Sequence, residues 1–264
     1  SIEKMQRALS VDTDNESNWC FLNDMAQSIP KSPCMVVSTR QKFTQTGNDT
    51  SLHVKLNDTV IPYVSSAKLL GVHFDQTLSW DQHIVNVQKK INSNLYLLKR
   101  IKTFLPLEAR KLFYNCYILP HFDYCSVIWG NCSQTNLYKL VKLQKRAARL
   151  ILDQDFTVRS RELFSELGWM PLEDRITFQR ATQVYKCLNE SNTPGLGKLF
   201  QYSSNVHVHN TRSAAENNLY ITQNHTKSFS HIGALTWNNI PSSIRNSTTL
   251  NSFKRNYLNN FFAE

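Results

Sequence analysis

The feature that most constrains the fold is a change of hydrophobic period near residue 79. Before it, the stretch SSAKLLGVHFDQTLSW predicts a strand over about 67–74 with Gly71 in its middle. After it, apolar residues recur at three- and four-residue steps over 84–101, which is the period of an amphipathic helix. Ser79 stands at the N-cap of this helix, with a glutamine three residues later in capping-box spacing. A strand-rich beginning therefore precedes a helical remainder.

The residues before this change predict a small antiparallel sheet beside an N-terminal helix. Short apolar or alternating runs bounded by polar residues indicate strands and hairpins. We predict one helix or two short ones in 1–26, a strand at 34–38, a polar loop at 41–51 and a hairpin over 52–64 that turns at Asn57-Asp58.

The residues after the change predict a series of helices, so the expected fold class is α+β, with a small antiparallel sheet followed by a mostly α-helical region. The predicted elements are helices over about 107–119 (ending at Pro120), 134–152, 158–167 and 172–189, with a helix or extended turn over 122–130. From about 191 the chain is polar, and a short helix closes it. We therefore expect three parts: 1–78, 79–190 and a linker with a tail, 191–264.

The positive charge is concentrated in one part of the chain. The net charge is +10, and residues 85–161 alone hold 14 Lys and Arg against 4 Asp and Glu. Such a concentrated basic segment is typical of a protein that binds a polyanion such as nucleic acid. The alternative interpretation is a helical face that the charges merely keep soluble.

Periodicity places much of this charge on helix faces. On the third predicted helix, cations at steps of three, four and three residues form a stripe of Lys139, Lys142, Arg146 and Arg149. Lys145 lies beside it, and Lys89 and Lys90 stand on the first long helix. Lys and Arg neutralise phosphates, while aromatic residues interleaved with them can pack on sugars or bases. We expect most of these aromatics to lie in the core.

The sequence contains no complete active site. His207 and His209 are spaced as two metal ligands, but the sequence shows no further partner for them, and no Asp-Asp pair or phosphate-binding glycine loop occurs. No apolar run is long enough for a membrane span, the N-terminus does not resemble a signal peptide, and no C-x-x-C pair occurs. We expect no metal site, no membrane association and an intracellular location, in the nucleus or the cytoplasm.

The stretch AKLLGVHFDQTLSWDQHI resembles the segment after the active-site hairpin of non-LTR (LINE-type, jockey-like) retrotransposon reverse transcriptases. In that family a strand of the form K-x-L-G-V-x-x-D, followed by L-x-W, builds the primer grip. The stretches NWCFLNDMAQSIPKSPCMVV, NSNLYLLKRIKTFLPLEARKLFYNCYILPHFDYCSVIWG, KLQKRAARLIL and FSHIGALTWNNIPSSIR resemble the end of the palm, the thumb-like region and the C-terminal tail. This resemblance covers nearly the whole chain.

The resemblance implies an RNA-directed DNA polymerase in which two Mg²⁺ ions, held by palm aspartates, promote nucleotide transfer. Those aspartates, the fingers and the first half of the palm have no counterpart here, so we expect no polymerase activity and no cofactor in this chain alone. Lys31 matches a lysine proposed as the general acid, although Ser28 replaces the asparagine usual three residues earlier. Lys68, Leu70 and Gly71 match the primer grip, where a glycine lets the backbone approach the primer.

The function expected from the resemblance is that of the C-terminal part of a reverse transcriptase, binding an RNA or DNA primer–template. A second partner would be the fingers and palm, if the reading frame is longer. Two alternatives remain open: a non-catalytic nucleic-acid-binding module and a protein-interaction module, each derived from such an element.

Overall fold

The computed structural model of the protein describes residues 2–46, 53–56, 59–189, 194–206, 217–222 and 226–263. The chain divides into two compact units, residues 1–86 and 87–264. The predicted turn at Asn57-Asp58 and the pair His207 and His209 lie outside the described residues. The predicted boundaries after residues 78 and 190 rest on the resemblance to parts of a polymerase. The structure does not test them, so they stay predictions.

The first unit combines two helices with two small hairpins. Its elements are α1 (Ile2–Leu22), a 3₁₀ helix (Ile29–Lys31), α2 (Arg40–Thr46), β1 (Lys55–Leu56), β2 (Thr59–Val60), β3 (Ser66–Leu69) and β4 (Val72–Asp75). The strands β1 and β2 pair antiparallel, and so do β3 and β4, in two separate sheets. Val54, Leu56 and Ile61 form the buried core beside the first hairpin. The predicted small antiparallel sheet is thus confirmed as two hairpins.

Two predictions for residues 34–51 are wrong. The expected strand at 34–38 is only a single parallel bridge between Cys34 and Tyr63. Pro33 and Pro62 directly precede the two bridged residues and lack N–H donors, so the parallel ladder cannot extend towards the N-terminus from this bridge. The loop expected at 41–51 begins with α2, whose start is stabilised where Thr39 Oγ1 accepts a hydrogen bond from the Lys42 N–H (3.3 Å).

The second unit is helical. The division between the units falls inside α3 (Asp81–Ile101), and the helices after it are α4 (Leu107–Phe113), α5 (Leu119–Asp123), α6 (Ser126–Trp129), α7 (Gln134–Leu152), α8 (Ser160–Leu167), α9 (Leu172–Asn189), α10 (Pro194–Gly197), α11 (Ser203–Val206), α12 (Phe229–Asn238), α13 (Ser242–Arg245) and α14 (Leu250–Ala263). The long helices α7 and α9 have the predicted bounds. The α+β class, with small sheets followed by a helical region, is confirmed.

The helix expected to end at Pro120 continues past it. A π-helix (Tyr114–Ile118) separates α4 from α5, and Pro120 occupies the first turn of α5. The first N–H groups of a helix have no partner within it, so the N–H that proline lacks costs nothing at this position. The chain therefore remains helical past Pro120, as far as Asp123.

Helix α9 organises the rest of the second unit. A bidentate ion pair joins Arg175 of α9 to Asp123 of α5, with Nε–Oδ1 and Nη2–Oδ2 distances of 2.6 and 2.7 Å. The C-terminal half of α9 packs against α12 and α14 in a core that includes Tyr185, Trp237 and Phe253. The described residues of the C-terminal region thus contribute buried side chains to this unit. No helix in the described ranges is long and apolar enough to cross a membrane.

Candidate nucleic-acid interface

Helix α3 separates a buried apolar face from an exposed basic one. Ile91, Leu95 and Leu98 are completely buried, as their three- and four-residue spacing predicts. Lys89 and Lys99 lie on exposed parts of the same helix. The long stem of lysine lets its ammonium group stay in water beside the packed helix. Burial of the apolar stripe therefore fixes which cations of α3 face outwards.

Helix α7 has the same division of faces. It begins where Ser133 Oγ accepts a hydrogen bond from the Asn136 N–H (3.3 Å). Its buried face includes Gln144, whose amide donates to the Met170 carbonyl (3.0 Å) and accepts from the Leu172 N–H (2.8 Å). Two of the predicted stripe cations, Lys142 and Arg146, are exposed, and Lys139, Lys145 and Arg149 are half-buried.

Two polar contacts bring the cations of α3 and α7 together. Arg146 Nη1 donates to Asn92 Oδ1 at 3.3 Å, and Lys102, just after α3, forms a salt bridge with Asp153, just after α7. The contacts follow the same order along both helices, so α3 and α7 run in the same direction.

Tyr96 and Lys99 share a helical face with Asn92, and Lys89 lies one turn before it. We call the exposed and half-exposed cations on this side of the two helices the basic surface: Lys89, Lys99, Lys139, Lys142, Lys145 and Arg146.

Arg149 differs from the other stripe cations because its guanidinium binds the protein itself. Nε donates to the Asp155 carbonyl (3.1 Å), Nη2 to the Val158 carbonyl (3.3 Å) and Nη1 to the Lys145 carbonyl (3.4 Å). These contacts tie the segment after α7 back onto the helix. The predicted contact of Arg149 with nucleic acid stays a prediction, and its structural role was not visible from the helical spacing.

Lys90 lies on the other flank of α3 from Lys89, since successive helical residues point about 100° apart. Burial, together with the positive charge of Lys90, lowers the pKa of His121 in α5. On the same flank, Asn94 donates to the Tyr117 carbonyl at 2.6 Å. The two adjacent lysines predicted as ligands of nucleic acid therefore face different parts of the second unit.

The motif that matches the primer grip forms a hairpin turn, and the prediction of one continuous strand over 67–74 is wrong. Leu70 (φ +47°) and Gly71 (φ +85°) connect β3 to β4, and positive φ at both central residues is the type I′ geometry that suits the strand twist. Lys68 pairs with His73 across the hairpin. Leu70 is 81% exposed and Gly71 is also exposed, so this tip is accessible within the first unit.

Asp75, at the end of β4, organises the turn that leads to α3. Its carboxylate accepts hydrogen bonds from the backbone N–H groups of Thr77, Ser79 and Trp80, each at 3.0 Å. Burial raises the pKa of this carboxyl, but these bonds and one from the Thr77 hydroxyl outweigh it, so the pKa lies below its usual value. Trp80 has a φ of +66°, so the helix begins at Asp81 instead of directly after Ser79. The role of Asp75 went unnoticed in the sequence, although Asp followed by Thr and Ser at two-residue steps is a turn signal.

Lys31, the predicted general acid, is exposed at the end of the 3₁₀ helix, and its N–H donates to the Ser28 carbonyl at 2.9 Å. Among the residues that the structure describes, no three His, Cys, Asp or Glu side chains are grouped to hold a metal ion. The structure thus brings together the cations of α3 and α7. The turn at Leu70 and Gly71 that matches the primer grip, and the exposed Lys31, both belong to the first unit.

The fold and charge define the class as an α+β protein with a basic helical unit. The chain is 26% identical over 150 residues to the probable RNA-directed DNA polymerase from transposon BS of Drosophila melanogaster, a match that covers 55% of this chain and 16% of that protein. It is 25% identical over 126 residues to the probable RNA-directed DNA polymerase from transposon X-element of the same species, covering 47% and 14%. The corresponding enzyme of mobile element jockey from Drosophila funebris is 24% identical over 126 residues, again covering 47% and 14%.

These relatives confirm the resemblance to jockey-like reverse transcriptases over about half of the chain. The matched region spans only 14–16% of their own length. No protein-family model and no solved structure matches the chain.

Proposed function

We propose that this chain binds nucleic acid through the basic surface, as the C-terminal part of an RNA-directed DNA polymerase that holds a primer–template. The observation that carries the proposal is the Arg146–Asn92 contact, which joins the exposed cations of α3 and α7 into one surface. Cations that neutralise phosphates release condensed counterions, and this release drives binding at low salt without any base contact. Similarity to polymerases of mobile elements supports a nucleic-acid ligand over another polyanion.

The first unit is proposed to add the primer grip. The exposed turn at Leu70 and Gly71 offers backbone to a primer strand, and Lys68 adds one cation beside it. We further propose that Lys31 acts as general acid only in a longer polymerase, where aspartates from another part of the enzyme hold Mg²⁺. On this proposal the present chain alone does not extend a primer in the presence of Mg²⁺ and deoxynucleotides.

The basic surface is tested by the salt slope, the slope of log K for binding a primer–template against log salt concentration. Each phosphate contact contributes about 0.9 to the slope for a duplex, so Lys142→Glu with Arg146→Glu is expected to flatten it by about two. Fluorescence anisotropy of a labelled primer–template measures the slope.

The matched control reverses two adjacent cations of α14, Lys254→Glu and Arg255→Glu, which lie outside the basic surface. If the α14 pair flattened the slope as much as the Lys142 and Arg146 pair of α7, only net charge would matter. An unchanged slope in the Lys142 and Arg146 variant would remove this surface from the binding site.

A second candidate function, docking of another protein, is favoured by the end of α1. Trp19, Phe21 and Leu22 are 56%, 79% and 71% exposed. A group of large apolar side chains that are exposed to water is typical of an interaction surface. The proposed partner is the palm and fingers of the same polymerase, because the relatives are much longer than the matched region.

Phe21→Asp with Leu22→Asp is expected to reduce co-sedimentation of the chain with a separately produced palm-and-fingers segment of a relative's polymerase, while leaving the salt slope unchanged. An unaltered sedimentation profile would argue against a docking surface at the end of α1. Gln41→Asp, on exposed α2, is the control for added negative charge.

A further inference from the structure

Three exposed aromatic rings on or beside α3 and α7 each lie close to a cation. They are the three cation–π pairs found in the described part of the chain, and none lies in the first unit. The pairs are Arg100 with Tyr96 at 5.9 Å, Lys142 with Tyr138 at 4.6 Å and Arg149 with Phe156 at 6.0 Å. A basic helical face that served only solubility would not need aromatic rings at these positions.

These rings follow the basic surface along its length. Tyr138 is adjacent to Lys139 and one turn before Lys142, and Tyr96 shares the α3 face of Asn92. Both tyrosines keep more than half of their surface in water, at 54% and 61% exposure. The rings therefore stand where bases would lie if a phosphate backbone followed the cations.

Two phenylalanines mark one end of the same surface. Phe104 is 84% exposed just after α3, and Phe156 is 90% exposed just after α7. The Lys102–Asp153 salt bridge places the segments that carry them beside each other. A phenyl ring has no polar group to hydrogen-bond with water, so two rings this exposed at one end of a cationic surface point to a ligand with apolar faces.

Unpaired bases are the ligand that fits rings and cations together. Bases within a duplex already stack on their neighbours, whereas the bases of a single strand present free faces to aromatic side chains. Stacking on an aromatic residue tolerates any base, and nearby Lys and Arg neutralise the phosphates. Duplex binding, by contrast, uses the cations and leaves the exposed rings without a contact.

We propose that the basic surface, with Tyr96, Phe104, Tyr138 and Phe156, takes single-stranded RNA or DNA in preference to a fully paired duplex, as the unpaired part of a primer–template. This inference rests on the proposed function and names the form of nucleic acid that the surface binds. The cations bind the strand along α3 and α7, and the two phenylalanines stack bases at the end of the helices.

The test compares the full chain on a labelled single strand of about 16 nucleotides with the same sequence as a blunt duplex, at one salt concentration. The single strand is expected to bind about tenfold more tightly.

Phe104→Ala with Phe156→Ala is expected to weaken single-strand binding about tenfold or more, because two stacking contacts are lost. The affinity for the duplex and the salt slope for the single strand are expected to stay unchanged. Both rings are so exposed that their loss leaves the core intact.

Phe262→Ala, which removes a 56% exposed ring of α14 outside the surface, is the matched control and is expected to change neither affinity. Equal or tighter binding of the duplex, or unchanged single-strand affinity in the Phe104 and Phe156 variant, overturns the inference. The Lys142→Glu and Arg146→Glu variant separates the two proposals. If it flattens the salt slope while the ring variant changes nothing, the proposed function stands and only the single-strand preference fails.

Discussion

Gly130 lies at a crowded contact between α6 and α9, where the reason for glycine is space. A Cβ at this position would lie 2.4 Å from the Ser126 carbonyl oxygen and 2.5 Å from Ile176 Cγ2. Gly130→Ala is therefore expected to lower the free energy of unfolding by about 1–3 kcal/mol, the usual cost of overpacking. Urea unfolding followed by circular dichroism measures the change.

The control for Gly130 is another glycine without a crowded neighbour. A Cβ at Gly195 of α10 would meet nothing within 4 Å, so Gly195→Ala is expected to be neutral or slightly stabilising. Equal stability of the two alanine variants would show that α6 and α9 can separate without cost.

The turn between β4 and α3 depends on one carboxylate, which makes its stability dependent on pH. The hydrogen bonds that hold the pKa of Asp75 low are present only while it is ionised. Because its pKa is lower in the folded chain, its contribution is complete above the unfolded value of about 3.9 and is lost as the pH falls through the folded pKa. Asp75→Asn is expected to reduce hydrogen-exchange protection of the Thr77, Ser79 and Trp80 amides about tenfold or more at neutral pH, since hydrogen bonds to a charged group are lost.

The same measurement gives a sharper test when the pH is lowered. The difference in protection between the original chain and Asp75→Asn is expected to shrink as the pH falls below about 4. Asp12→Asn, at an exposed position on α1, is the control and is expected to leave these amides unchanged. A difference that stays constant down to low pH would mean that the charge of Asp75 does not hold the turn.

The sequence predicts a helix or strand correctly where a local pattern of residues alone determines that element. Helical period alone determines which residues of α7 share a face, so the cationic stripe and the bounds of α7 and α9 were predictable. Period does not determine which faces of different helices meet, so the Arg146–Asn92 contact required the structure. The turn at Leu70 was missed because the usual signal for a type I′ turn is Asn-Gly or Asp-Gly, and a leucine at its first position resembles a continuing strand.

The charge of the whole molecule is divided very unequally between its two units. Residues 1–86 contain 7 Lys and Arg and 9 Asp and Glu, for a net charge of −2, whereas residues 87–264 contain 23 and 11, for a net charge of +12. Exposed charges further apart than about 8 Å are largely screened at physiological salt. Electrostatic attraction of a polyanion should therefore come from the nearby cations of the second unit, and the first unit can add only local contacts such as one at Lys68.

A chain of residues 79–264 is therefore expected to retain the salt slope of the full chain to within about one unit, because each duplex phosphate contact contributes about 0.9. It keeps all of α3, α7 and the basic surface, and circular dichroism reports whether its helices form. If Lys68 at the proposed primer grip contacts one phosphate, Lys68→Glu in the full chain should flatten the salt slope by about 0.9. Removal of residues 1–78 should flatten the slope by the same amount. A slope that falls by several units while the helices remain formed would place the main contacts in the first unit, because the cations of α3 and α7 would then be present without binding.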